Sequence, residues 1–178
     1  KLSSYFDDKC KIFYTKNSSF ENAIKFSLIA HQLKGQKNKT KFLSLKNSYF
    51  GESYVESKLN DITNSEFFEN TSFSTIFLDD IPYCSGLDDP LWLDCTTIWS
   101  KILKILNQNK DEISALVLEP LLQQNGIKSY SLDFLKKLRT WTQKNDIHLI
   151  VDERITSIGR IGKMFGINYL DVLPDFLC

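Results

Sequence analysis

The chain has 178 residues, with 22 Lys+Arg against 22 Asp+Glu and so no formal net charge at pH 7, which argues against nucleic acid or an anionic membrane as its main partner. Its 42% hydrophobic and 25% charged content is that of a globular domain, and its seven Gly and four Pro are too few for an all-β fold of many tight turns. No apolar run approaches the ~20 residues of a membrane span, and the first residues are no signal peptide.

Met164 is the only methionine, so Lys1 is read as an internal or trimmed start and the chain as a piece of a longer protein. Cys10, Cys84, Cys95 and Cys178 are spread without a CxxC pair, and His31 and His148 lie far from them in sequence. No disulfide scaffold and no metal site are expected from that spacing. The thiols read as reduced and structural, as a cytoplasmic location would have them.

In chain order, Lys11-Ile12-Phe13-Tyr14 is expected as a short strand. A helix follows from about Phe20 to Lys34, with Phe20, Ala23, Ile24, Ser27, Leu28 and His31 on one face. Ser18 and Glu21 have capping-box spacing at its start, and Gly35 stands where a C-terminal cap belongs. Lys41–Leu45 reads as a strand ending at the polar turn Asn47-Ser48, Asn60 to Thr71 as loop, and Thr75–Leu78 as a strand before a turn-rich stretch to Pro90. Thr96 to Asn107 reads as a helix with Ile98, Ile102, Ile105 and Leu106 on one face. Ile113–Leu118 is a strand apolar on both faces, Ser131 opens a helix carrying Leu132, Leu135, Leu138 and Trp141, and His148–Val151 is the next buried strand. Pro174–Cys178 has the start of one more strand. Strand, helix, strand in about 40 residues is a βαβ unit. The fold class is therefore α/β, a mostly parallel sheet flanked by helices.

Two of these strands run directly into acids, Ile113–Leu118 into Glu119-Pro120 and His148–Val151 into Asp152-Glu153. In a parallel sheet both exits fall at the carboxyl edge, where open α/β sheets bind ligands. Periodicity alone also allows the plainer reading, that these acids cap turns or following helices.

The spellings add to this. Residues 115–126, Ala-Leu-Val-Leu-Glu-Pro-Leu-Leu-Gln-Gln-Asn-Gly, resemble the strand-turn segment of class III (subgroup II) aminotransferases. Residues 149–165, from Leu149-Ile150-Val151-Asp152-Glu153-Arg154 to Gly162-Lys163-Met164-Phe165, are similar to that family's second motif, at the right distance, and Pro174-Asp175-Phe176-Leu177-Cys178 to its "PDILC". His31–Gly35 and Lys41–Ser53 are similar to the diaminopelargonic acid aminotransferase subfamily, which carries an amino group from S-adenosylmethionine to 8-amino-7-oxononanoate in biotin synthesis. The resemblance implies a partial large domain of a fold type I enzyme over residues 1–178, pyridoxal 5′-phosphate as cofactor, those two small molecules as substrates, and a homodimer as the complete protein.

The same resemblance implies roles for residues. Asp152 would pair with the cofactor's ring nitrogen, favouring its cationic form. Tyr49 would lie against the cofactor and the substrate, and Glu119 near the substrate, although a structural salt bridge suits Glu119 equally. The phosphate turn falls on Thr15-Lys16-Asn17, so Lys16 and Asn17 are cofactor-binding candidates, with Asn17-Ser18-Ser19 an alternative turn. The Schiff-base lysine would lie beyond Cys178, and none of Lys128, Lys144 or Lys163 fits its motif, so the polypeptide as given is expected to be inactive alone. The Gly159–Lys163 loop reads as a structural turn, not a P-loop.

Several positions depart from the family, Thr156-Ser157-Ile158-Gly159 in place of its Thr-Gly-Phe-Gly among them. Lys16 stands where it has glycine, Phe50 where it has histidine, and Arg154 where it has isoleucine or valine beneath the cofactor ring. Arg154 places a cation beside a ring that must itself carry positive charge. Together they keep open a second class of function, an aminotransferase-like domain without catalysis, alongside a class III transaminase with another substrate.

Overall fold

A computed structural model describes residues 4, 6, 10–60, 73–124 and 126–178. Five parallel strands form the main sheet: β1 (Lys41–Leu45), β2 (Thr75–Leu78), β4 (Ile113–Leu118), β6 (His148–Val151) and β7 (Phe176–Leu177), in the order β2-β1-β4-β6-β7. The short strands β3 (Tyr83–Cys84) and β5 (Ser129–Tyr130) pair antiparallel beside it. The helices are α1 (Ser19–Leu33), the single turn α2 (Tyr54–Ser57), α3 (Thr96–Asn109) and α4 (Leu132–Lys144). The expected strands from Lys41 onward all form, including the one at Phe176.

The sheet is covered on both faces, and the alternation of side chains sorts its core in two. Phe42, Ala115, Val117 and Ile150 pack with Phe20, Ala23 and Ile24 of α1. Leu43, Leu45, Leu116, Leu118, Leu149 and Val151 pack with Ile102 and Leu106 of α3 and with Phe134, Leu135, Leu138 and Trp141 of α4. Both faces of β4 are therefore apolar, the burial expected of a central parallel strand.

Three expectations are corrected. Lys11–Tyr14 is not a strand; it runs exposed and irregular, and Tyr14 is 92% exposed, because no ladder partner lies beside it among the described residues. Ile105 faces solvent on α3, whose buried positions are Ile102 and Leu106. The capping box of α1 is half made: Ser18 accepts from the Glu21 N–H at 3.2 Å, but Glu21 turns its carboxylate to the Ser53 hydroxyl. Gly35, at φ +79°, ends the helix as expected. Of the loop expected over Asn60–Thr71, all but Asn60 lies outside the described residues. No disulfide links the described cysteines, and no described helix is long and apolar enough to cross a membrane.

Two polar devices hold the amino edge of the sheet. Lys39, just before β1, is buried and its ammonium donates to the carbonyls of Lys110 (3.3 Å), Ile113 (3.2 Å) and Asn145 (3.0 Å). Lys110 and Asn145 are the C-terminal caps of α3 and α4, so one cation meets the negative ends of two helix dipoles. Burial pulls the Lys39 ammonium below its ordinary pKa, against the pull of Asp146 and Asp111.

The second device answers a bulge. Lys41 pairs with Ile113 and Phe42 with Ala115, which leaves Ser114 without a partner on β1. His31 Nε2 donates to the Ser114 carbonyl at 2.9 Å, and the Ser114 hydroxyl lies 2.7 Å from that of Ser27. Ser27 in turn sits 2.9 Å from His148 Nδ1, and the two imidazoles lie 4.4 Å apart. A histidine on an otherwise apolar helix face thus satisfies the backbone of the bulge.

These contacts make two predictions. Lys39→Met leaves three carbonyls without their cation and should lower unfolding stability by about 2 kcal/mol in urea titration. His148 has its pKa pushed down to about 4 by burial and by neighbouring His31, with Asp175 and Asp146 opposing and Lys34 adding to the fall. The native state then binds fewer protons than the unfolded chain between about pH 4 and 6.5, so stability should rise with pH across that window. Comparing urea midpoints of the wild type and His148→Gln at pH 4.5 and 6.5 should show the wild type losing about 1–2 kcal/mol more on acidification.

Candidate active site

The register of the sheet builds the site. Leu118 pairs with Val151 at the carboxyl ends of β4 and β6, so the next residues, Glu119 and Asp152, leave the sheet side by side. Both are buried, at 5% and 7% exposure. Glu119 Oε2 accepts the Tyr49 backbone N–H at 3.1 Å. Burial lifts the Glu119 carboxyl to a pKa of about 7; the Tyr49 N–H and Arg154 oppose the rise, while Asp152 adds to it. A carboxyl poised there can hold or release a proton at neutral pH.

Asp152 is held differently. Its Oδ1 accepts from the backbone N–H and the Nε of Arg154, each at 3.0 Å, and its Oδ2 from Nε (3.1 Å) and Nη2 (2.7 Å). The same guanidinium reaches Glu56 Oε1 through Nη1 at 2.7 Å and the Phe50 carbonyl through Nη2, and it lies 5.1 Å from the centre of the Phe20 ring. Phe20 in turn stacks on Phe50, with centroids 5.1 Å apart and planes within 10°. Two carboxylates, a carbonyl and an aromatic face surround one cation.

Glu56 carries this cluster to the start of α1. Its Oε1 also accepts from the hydroxyl of Ser18, the N-cap of α1, at 3.3 Å. The other oxygen closes a capping box with Ser53, accepting its N–H at 3.2 Å. Gly51, at φ +112°, is required here, because a Cβ would run into the Glu56 carboxylate. Ser18 therefore links Asp152 to the turn before α1 through Glu56 and Arg154.

The other sequence candidates are placed as follows. Lys16 and Asn17 precede the N-cap and are exposed, with Thr15 Oγ1 donating to the Asn17 carbonyl at 2.8 Å. Tyr49 is half-buried and its hydroxyl donates to Glu52 at 3.2 Å; burial and that carboxylate raise its pKa. Glu153 faces away from Asp152, accepting the N–H groups of Gly166 (2.9 Å) and Ile167 (2.7 Å) and the Thr156 hydroxyl (2.5 Å). Gly159 and Gly162 adopt positive φ in the loop that follows. Near Glu119 lie two buried hydroxyls, Ser48 Oγ and Tyr130 OH, which interact with each other.

Sequence reasoning did not find Glu56, Phe20 or Ser18 as parts of this cluster. For Glu56 a signal existed, since Ser53-x-x-Glu56 is a capping box and implies an ordered turn. Nothing in the spelling joined that turn to Asp152, which is 96 residues further on.

Comparison with known proteins fits this architecture. The aminotransferase class-III family profile matches residues 2–178. The chain is 38% identical over 163 residues to the adenosylmethionine-8-amino-7-oxononanoate aminotransferase of Buchnera aphidicola subsp. Baizongia pistaciae, covering 90% of this chain and 37% of that protein. It is 34% identical over 175 residues to the enzyme of the same name from Helicobacter pylori, covering 96% and 38%. Among solved structures, a Bacillus anthracis aminotransferase superposes with a TM-score of 0.83 at 23% identity, over 99% of this chain and 40% of that one. A pyridoxal-phosphate-bound amine transaminase from an uncultivated Pseudomonas species gives 0.78 at 24% identity, over 99% and 42%. The chain thus spans about two fifths of the length of these relatives. With its profile matched from end to end, the chain belongs to the class III aminotransferases.

Proposed function

We propose that the protein containing this chain is a pyridoxal-phosphate aminotransferase that moves an amino group from S-adenosylmethionine to 8-amino-7-oxononanoate. The observation that carries the aminotransferase reading is the pair Glu119 and Asp152, buried side by side at the carboxyl edge of a parallel sheet. The substrates are supported by the names of five relatives at 32–38% identity. We further propose a cytoplasmic homodimer as the complete protein, with residues 1–178 a partial large domain of it.

The residues fit the cofactor of this family in their donor set. A buried carboxylate ends a strand, the N-cap of a helix is joined to it through Glu56 and Arg154, and two buried hydroxyls lie near Glu119. Asp152 would hold the ring nitrogen, Lys16 and Asn17 the phosphate at the start of α1, and Tyr49 and Glu119 the substrate side. Bound there, the cofactor would supply an electron sink for carbanion chemistry. The chain's own work is to keep a negative charge at the ring nitrogen, to exclude water with Phe20 and Phe50, and to offer a carboxyl at Glu119 able to exchange a proton near pH 7.

A second reading is favoured by one observation, the guanidinium on Asp152: an aminotransferase-like domain that no longer turns over and serves a partner. A third keeps the chemistry and changes the substrate, and relatives named as probable gamma-aminobutyrate transaminases, 28% identical, motivate it.

Full-length protein mixed with pyridoxal phosphate should develop a visible absorption band that borohydride renders covalent. Absence of a band at saturating cofactor removes the enzyme reading. If the band forms, turnover with S-adenosylmethionine and not with gamma-aminobutyrate separates the first reading from the third, and Asp152→Asn should lower kcat/KM by about 10²–10³. For Glu119, a carboxyl carbon signal in the NMR spectrum should titrate near pH 7 and vanish in Glu119→Gln. Because its pKa is raised in the fold, this group makes the native state bind extra protons between about pH 4.5 and 7, so its contribution to stability falls as pH rises. Glu119→Gln should therefore gain on the wild type in urea stability from pH 5 to pH 8.

A further inference from the structure

Arg154 is both the closest partner of Asp152 and the residue least compatible with the role proposed for it. A carboxylate offers about four lone-pair directions. On Asp152 three N–H groups of Arg154 occupy both oxygens: the backbone N–H on Oδ1, the single Nε–H shared between Oδ1 and Oδ2, and Nη2–H on Oδ2, all within 3.1 Å. An N–H arriving from a ring therefore meets two oxygens that already accept from a cation. The guanidinium is also tied to Glu56, and Glu56 to the Ser18 hydroxyl at the start of α1, so one ion cluster occupies both the ring-nitrogen seat and the rim of the phosphate seat.

The cluster is not sealed. The Arg154 side chain is 36% exposed, against 8% for Glu56 and 7% for Asp152. The two acids are thus fixed in the interior while the cation has a route to solvent. Its hold on Asp152 is electrostatic and bidentate.

We infer that Arg154 competes internally for the carboxylate of Asp152: the guanidinium must swing off it before a pyridinium nitrogen can be held, and Glu56 sets how firmly it stays. This rests on the cofactor reading above. A pyridinium and a guanidinium carry the same charge, so the exchange leaves Asp152 neutralised, and the cost falls on Glu56, which loses its ion pair beside the anionic phosphate. Affinity is then divided by the fraction of molecules in which Arg154 stands away. An Asp152 free in a tenth of molecules or fewer weakens the observed binding by about tenfold or more.

The test is equilibrium binding to the full-length protein of pyridoxamine 5′-phosphate, which has the ring nitrogen but no aldehyde to react with exposed lysines. Arg154→Leu should tighten binding about tenfold or more, and Glu56→Gln, which loosens the clamp while retaining the shape of the side chain, should tighten it by a smaller factor. The analogue with carbon in place of the ring nitrogen should gain much less from either change. In the wild type, the Arg154 Nε–H proton signal should exchange slowly with water without ligand and quickly with it. If Arg154→Leu does not fold, Glu56→Gln and the Nε–H signal still decide. Equal affinity in the wild type and the variants, or weaker binding in Arg154→Leu, overturns the competition and leaves the cofactor reading standing. No binding by any of the three overturns both.

Discussion

Parallel strands bury both faces and send all their carboxyl ends the same way, and the site follows from that constraint. Once β4 and β6 are paired with Leu118 opposite Val151, Glu119 and Asp152 have to emerge together at one edge. Everything that makes the two acids unusual comes from this placement. They are buried because helices cover the sheet, and the charge of Asp152, one ladder spacing away, adds to the burial that raises the Glu119 pKa. The opposite edge carries different work. There Lys39, His31 and Ser114 satisfy helix ends and a bulge, a strand's length away from the two acids.

The electrostatics of the carboxyl edge set two acids against one cation, with a third acid beside them. Asp152 and Glu56 share Arg154, and Glu119 forms no ion pair among the described residues, so burial dominates its behaviour. In a low-dielectric setting, a buried ion pair of this kind gives little net stability over an apolar replacement, while removal of a single member is costly. The cluster therefore adds little to the net stability of the fold, yet loss of any one of its members would leave a charge uncompensated.

Most of the fold could be read from the chain before any coordinates. Ile113–Leu118 and His148–Val151 are short, wholly apolar and spaced by a helix, and that pattern has few folded solutions. The reading failed at Lys11–Tyr14, where an apolar run was taken for a strand; a strand needs a neighbour to complete its hydrogen bonds, and local composition does not say whether one exists. The site was legible in its acids, since Glu119 and Asp152 end strands. Its cation was legible only as a departure from family spelling. That Arg154 folds back two residues onto Asp152, and reaches Glu56 across 98 positions of sequence, depends on tertiary packing that no periodicity encodes. His31 was likewise seen as one more member of an apolar stripe, because the bulge it serves appears only when β1 and β4 are in register.

One peptide bond separates two acids with opposite obligations. Asp152 is tied to the Arg154 guanidinium, whereas Glu153 is spent on the backbone of Gly166 and Ile167 and on Thr156, so it splices the long loop after β6 back onto the strand. A change at the first position would leave that splice in place, whereas a change at the second would release the loop. The two neighbouring acids thus carry separable duties, and retention of the second says nothing about what the first does.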